Sequence, residues 1–302
     1  MDIIATSEST WQESAGSVVV ADYNDGLNDG IEEGKAQANA FFNQITKGGT
    51  FMRGFWANAR YLYPYTDDPR GGGYGKALPV PMPDTSKAED MSYFFAKADP
   101  YQIPDVIDLS RAKTTAFMFA EVGPSVSHYF SSLDRDMSHI VLDMSSVEDA
   151  NNMFAQCLCS AIPTLVNMQN VTTIKRLCYH ATRAKGEVYL PDTSACKDFS
   201  SAFEYTSISK LTLNVSSGEN FSSAFGGNIT DFTPIGTFKA SVSFKACTNM
   251  IVESWERIFN ALADLTGQTA CTLTIPTGLD ETIIPSELRA LAKSRNWNVM
   301  EA

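Results

Sequence analysis

Three histidines (His128, His139, His180) and six cysteines (Cys157, Cys159, Cys178, Cys196, Cys247, Cys271) are the side chains best suited to nucleophilic or metal chemistry. Their spacing supports neither. The histidines are scattered and contain no His-Glu-x-x-His pair, which would turn two imidazoles toward a zinc ion from one helix face. No Gly-x-Ser-x-Gly elbow is present, and no cysteine carries a Cys-His pairing signal. One residue separates Cys157 from Cys159, whereas zinc and redox pairs need two, and the other cysteines are dispersed. Reduced thiols in a core are the expectation, because free cysteine is among the most buried residue types. Asp134 and Asp136 flank Arg135 in a polar stretch that reads as a solvated loop, not as a glycosidase pair. The "GGGYG" run at 71–75 has no Lys-Ser/Thr pair after it and reads as a surface loop, not a phosphate cradle. The chemistry-bearing residues therefore predict no catalytic site, no cofactor and no metal.

Composition narrows the partners. The chain has 302 residues, 44% of them hydrophobic and 19% charged, with a net charge of −12. Hydrophobic content of this size supports a substantial core. The acidic balance argues against nucleic acid and against an anionic membrane surface, since both need clustered Lys and Arg. The first twenty residues carry no basic leader and only short apolar runs, so no secretion signal is expected. No stretch approaches the ~20 apolar residues that span a bilayer. The expectation is a protein assembled in the cytoplasm, or released by a route such as lysis.

The elements emerge from a repetition. "PDTSKAEDMSYFF" (83–95) and "PDTSACKDFSSAF" (191–203) share their opening, their central Asp-x-Ser and their final Phe. Further copies end at Phe119, Phe154, Cys178 and Phe225, so the anchors Phe95, Phe119, Phe154, Cys178, Phe203 and Phe225 are spaced 24, 35, 24, 25 and 22 residues apart. A short period with one insertion, between Glu121 and Asp136, describes this better than a duplicated domain. Each copy contains an apolar run suited to a strand ("VIDLS", "IVLDMS", "EVYLP", "LTLNV"), then Ser, Asp and Thr where a turn and a helix N-cap belong. A one- or two-turn helical or 3₁₀ segment ending in the inward anchor follows. The expected fold is thus an α/β repeat, a leucine-rich-repeat-like solenoid with a short strand and a turn or short helix per unit of ~24 residues.

The ends differ from the array. Gly26, Gly30, Gly34 and Ala38 recur every four residues, stacking small residues on one face of a helical segment. Three glycines cost an isolated helix about 3 kcal/mol. Within the N-terminal arm at 1–50, residues 22–45 therefore read as a helix held against identical neighbours in a homo-oligomer, with a helix packed on its own chain or a flexible linker as the alternatives. Residues 51–79 are aromatic and then Gly-rich; Phe55, Trp56, Tyr61, Tyr63 and Tyr65 are expected to cap the first unit, with sugar binding as the alternative. At 251–302, Trp255, Ile258, Phe259 and Leu262 lie on one face of a helix over 251–264, with Phe259 a further core anchor. "ACTLTIP" reads as a strand, "PSELRALAKSRN" as a helix started by Pro285, and "WNVM" as a last strand. Together they form an α/β cap over the exposed edge of the array at 80–250.

The strings "VEDANNMFAQC", "KDFSSAFEYTS" and "ENFSSAFGGN" resemble the core of BspA-like leucine-rich repeats. The C-terminal segment from Leu262 looks like the closing unit of such arrays in phage tail and other virion proteins. "YNDGLNDGIEEGKAQANAFFNQITKGG" resembles the segment that precedes them. The resemblance implies a non-enzymatic virion structural protein whose partners are other virion proteins and a bacterial surface receptor. A bacterial surface adhesin of the same repeat type is the alternative, disfavoured by the missing export signal. Within the insertion, His128, Tyr129, Asp134, Arg135 and Asp136 are the candidate receptor-contact residues.

Overall fold

The computed structural model describes residues 84–98, 103–123 and 136–302. Its organising feature is a set of six Asp-x-Ser-like segments stacked side by side. Parallel bridges join Asp90, Thr114, Asp149, Thr173, Asp198 and Asn220 in succession. Each of these lies five residues before one of the anchors Phe95, Phe119, Phe154, Cys178, Phe203 and Phe225.

These segments are turns, where the sequence predicts helix or 3₁₀. The reason lies in what the amides must do. In an α-helix every interior N–H bonds within its own segment, leaving nothing for a neighbour. Here the amides alternate. The N–H groups of Phe95, Phe119, Phe154, Cys178 and Phe203 donate to the carbonyls of Met118, Met153, Leu177, Ala202 and Ala224 in the next pass, at 2.7–2.9 Å. The amides between them fold back by one turn, as Phe94 does to Met91 and Ala96 to Tyr93.

Left-handed residues produce this alternation. Tyr93, Phe117, Asn152, Arg176, Ser201 and Ser223, two before each anchor, have φ between 53° and 59°. Lys97, Glu121, Gln156, His180 and Tyr205, two after it, have φ between 55° and 61°. Each non-glycine residue held there costs roughly 1–2 kcal/mol, offset by the cross-pass bonds that the reversal makes available. The Asp-x-Ser signature opens each segment as an Asx turn, not as a helix cap. Asp90, Asp149 and Asp198 accept the amide two residues on at 2.9 Å, Asn220 does so at 3.1 Å, and the Thr114 and Thr173 hydroxyls serve at 3.2 Å.

The opposite side of each pass is extended. Strands β1 (Val141–Asp143) and β2 (Thr164–Val166) pair in parallel, as do β3 (Glu187–Leu190), β4 (Lys210–Asn214) and β5 (Asp231–Ile235). A third parallel sheet joins β6 (Val242–Ser243), β7 (Cys271–Ile275) and β8 (Trp297–Glu301). The "VIDLS" run at 106–110 is not a strand: Ile107 and Leu109 still alternate inward, but the run belongs to no sheet. The two "PDTS" copies also find their explanation here. Thr85 and Thr193 are buried, and their hydroxyls donate across to the next pass, at Asp108 O (2.9 Å) and Asn214 O (3.0 Å).

The interior is one continuous apolar cluster. All six anchors are buried; Phe95 stacks on Phe119 at 5.6 Å, Phe119 on Phe154 at 5.3 Å, and Phe225 on Phe244 at 4.4 Å. Neighbouring positions exchange volume along the stack. Met118 and Met153 precede their anchors where Thr115 and Ala150 stand three residues earlier. Ala202 and Ala224 take the first position where Phe199 and Phe221 occupy the second, stacked at 4.9 Å. Close packing requires this compensation.

Helix α1 (Val252–Asn260) ends the β3–β4–β5 sheet with side chains instead of another strand. The Ser254 hydroxyl accepts the Phe232 N–H at 2.9 Å, and Arg257 Nε donates to the Phe232 carbonyl at 3.0 Å. Arg257 also pairs with Asp231. Phe259 is buried as expected of a core residue, but from this helix and not from a turn segment. Helix α2 (Ser286–Ser294) follows Pro285, which sits at its N-cap.

Truncating Phe154 tests the stacked column. Phe154→Ala should lower unfolding stability by about 3–5 kcal/mol in a denaturant titration; a loss under ~1 kcal/mol would remove it from the packed interior.

Candidate functional site

The strand side presents a set of outward side chains. Alternation along each strand turns Leu142, Leu165, Val188, Leu211 and Phe232 inward. It leaves Val141, Asp143, Thr164, Glu187, Tyr189 and Lys210 exposed. Register places Glu187 opposite Lys210 and Lys210 opposite Asp231, a row of alternating charge. Tyr189 and Val141 stand out as large apolar groups 60% and 56% exposed on this surface.

A cleft interrupts the same side. Although their passes stay bonded through the turn segments, where Thr173 bridges Asp198, strands β2 and β3 belong to different sheets. The split opens a cavity of about 410 Å³ with an apolar floor of Ile162, Pro163, Leu165, Val188, Leu190 and Ile208. Lys185, Glu187, Asn167 and Asp192 supply polar groups at its walls. This volume lies in the range of small-ligand sites. Nothing in the sequence marks the split, because Leu165 and Val188 alternate as any other strand residues do. Ser254 and Arg257 were equally invisible as edge caps, since their role depends on where α1 docks.

The sequence-predicted sites are placed as follows. Asp136 is exposed and its carboxylate accepts the Ser138 N–H at 2.7 Å, so it closes a turn. Bonding to Ser138 holds that carboxyl below the usual range. His128, Tyr129, Asp134 and Arg135 lie outside the described residues, as do Gly26, Gly30, Gly34 and Ala38 and the aromatics of 51–79. His139 pairs with Asp105 at 2.9 Å, bridging two passes, while His180 packs among tyrosines, so these two imidazoles do not converge.

All six cysteines are free, five of them buried and Cys271 partly exposed. Burial raises the Cys178 thiol and pushes those of Cys196 and Cys247 up to about 12. Hydrogen bonding with Cys159 lowers Cys157, but both are sealed from solvent. Among the described residues no group of three or more His, Cys, Asp or Glu side chains is placed to hold a metal ion. Among them, too, no helix is long and apolar enough to cross a membrane.

Comparison with known proteins found no family model, no curated protein and no solved structure that matches this chain.

Thiol accessibility checks the burial. An aromatic disulfide reagent should titrate Cys271 first under native conditions and the other five only after denaturation. Rapid native reaction of Cys178 or Cys196 would contradict the packing described.

Proposed function

We propose that residues 80–250 form a leucine-rich-repeat-like solenoid of the BspA-like kind, closed by residues 251–302, in a non-enzymatic structural protein of a bacteriophage particle. The observation that carries the solenoid reading is the succession of cross-pass bonds from Phe95 to Phe225, in register with the sequence period. An array of this kind offers long, rigid, solvent-facing surfaces built from repeated positions, which suits binding to other proteins rather than catalysis. The exposed strand side, with Tyr189, Val141 and the adjoining cleft, supports a binding role. Fold alone does not give function; the particle assignment comes from the resemblance of the repeat strings and the two ends.

In this reading the partners are other virion proteins and a bacterial surface receptor, and the segment carrying Gly26, Gly30, Gly34 and Ala38 joins copies into a homo-oligomer. Receptor contact by His128, Tyr129, Asp134, Arg135 and Asp136 belongs to the same proposal.

Mass spectrometry of gradient-purified particles from the bacterium that carries the gene tests it. The chain is expected to co-sediment with capsid and tail proteins in fixed stoichiometry. Recovery only from the cell-wall fraction, with none in particles, would overturn the particle assignment and favour the adhesin.

A further inference from the structure

Residues 150–186 contain no Asp or Glu in a chain whose net charge is −12. The same stretch carries Lys175, Arg176, Arg183 and Lys185, and no described carboxylate forms an ion pair with any of them. Elsewhere on the array several cations are matched across passes, although Lys87, Lys210, Lys239 and Lys245 also form no ion pair with a described carboxylate. Lys97 pairs with Glu121 at 3.6 Å, Lys113 with Glu148 at 2.9 Å and Lys197 with Glu219 at 3.0 Å.

The turn segments change character at the same place. The two positions after the anchor are Ala96-Lys97, Ala120-Glu121 and Ala155-Gln156 in three passes, then Tyr179-His180 and Glu204-Tyr205 in the next two. Small and polar residues thus give way, at three of the next four positions, to the rings Tyr179, His180 and Tyr205. Tyr205 is 57% exposed and lies 4.5 Å from His180, which meets Tyr179 edge-on at 4.5 Å. The Arg176 guanidinium sits 5.2 Å above the Tyr179 ring, and both Arg176 and Lys175 are exposed. None of these rings contributes to the core cluster.

We propose that Lys175, Arg176, Tyr179, His180 and Tyr205 form a binding surface for an anionic polysaccharide. Two features of the surface select this ligand. The cations without a described carboxylate partner complement carboxylate groups, and the planar Arg176 guanidinium, which rests over the Tyr179 ring, can donate two parallel hydrogen bonds to a carboxylate. The exposed Tyr205 ring receives the C–H face of a sugar ring, while the half-buried Tyr179 backs Arg176, and Tyr hydroxyls and Glu204 supply partners for the sugar hydroxyls. A chain of net charge −12 repels any long polyanion, so these few cations suit a short stretch of acidic glycan gripped also through its C–H faces and hydroxyls, and an oligonucleotide serves as the competing ligand in the test. This surface lies on the turn segments, away from the β2–β3 cleft, and its test does not depend on whether the protein belongs to a particle.

Calorimetric titration of the full chain with oligogalacturonate at about 50 mM salt provides the test. Saturable binding is expected, weakened at about 500 mM salt, with no binding of a neutral malto-oligosaccharide. Arg176→Ala and Tyr205→Ala should each weaken it by about tenfold or more with the melting curve unchanged, and Lys175→Glu provides an independent exposed variant. Absence of binding at about 5 mM oligogalacturonate, or affinity unchanged in all three variants, would overturn the proposal. An oligothymidylate of equal charge that binds as tightly would also overturn it, replacing the glycan with non-specific polyanion attraction.

Discussion

Backbone amides that leave one pass of the chain and bond to the next are the constraint from which most of this structure follows. A segment of eight residues can supply such amides only if it is not a helix, because a helix consumes them internally. A strand would supply them on alternate residues, but it would not gather Phe154, Ala150 and Met153 onto one inward surface. The solution is a chain of turns in which every fourth residue is left-handed, as Asn152 and Gln156 are around Phe154. Half the amides close the turns and half reach Lys175, Leu177 and Tyr179 of the following pass. Each such bond contributes on the order of 1 kcal/mol net, so it is their repetition along the stack that outweighs the strained φ values.

Fixed register has consequences elsewhere. Because the passes cannot slip relative to one another, side chains at equivalent positions become columns, and each column is subject to its own rule. Inside, the rule is volume, seen in the exchange between Met153 with Ala150 and Ala202 with Phe199. Outside, it is charge, seen in the matching of Lys113 with Glu148 and Lys197 with Glu219. A sheet whose last strand is left uncovered exposes unpaired amides and carbonyls at its edge. Helix α1 answers this at β5, where Ser254 and Arg257 imitate the acceptor and donor that another strand would present to Phe232. Among the described residues one buried side-chain nitrogen or oxygen remains without a hydrogen bond, the Trp255 indole N–H, whose ring lies roughly perpendicular to that of Phe244 with centroids 6.0 Å apart.

Much of this was readable from residue types. The period appeared in the anchors because a buried aromatic can be replaced only by something comparably apolar, which is why Cys178 could still be recognised among five phenylalanines. Helix α1 and strands β7 and β8 were readable because each has a clear apolar periodicity. The turn conformation was not readable. Left-handed residues advertise themselves when they are Gly or Asn, whereas here they include Tyr93, Phe117, Arg176 and Tyr205, tolerated because the surrounding bonds over-determine them. The gap between β2 and β3 was hidden for the opposite reason: inward alternation is satisfied whether or not neighbouring strands pair. The acid-free stretch at 150–186 could have been found by counting charge in windows instead of over the whole chain.

Gln156 offers the most direct test of the turn account, being exposed, left-handed at φ 58° and bonded through its amide to the Tyr179 carbonyl at 2.7 Å. Its substitution by Gly and by Val should be compared by chemical denaturation. The account predicts that Gln156→Gly is neutral or stabilising by up to about 1 kcal/mol, while Gln156→Val loses about 1–2 kcal/mol, because a β-branched residue is poorly accommodated at positive φ. The reverse order, with glycine costing about 1 kcal/mol and valine tolerated, is the signature of a helix and would contradict it.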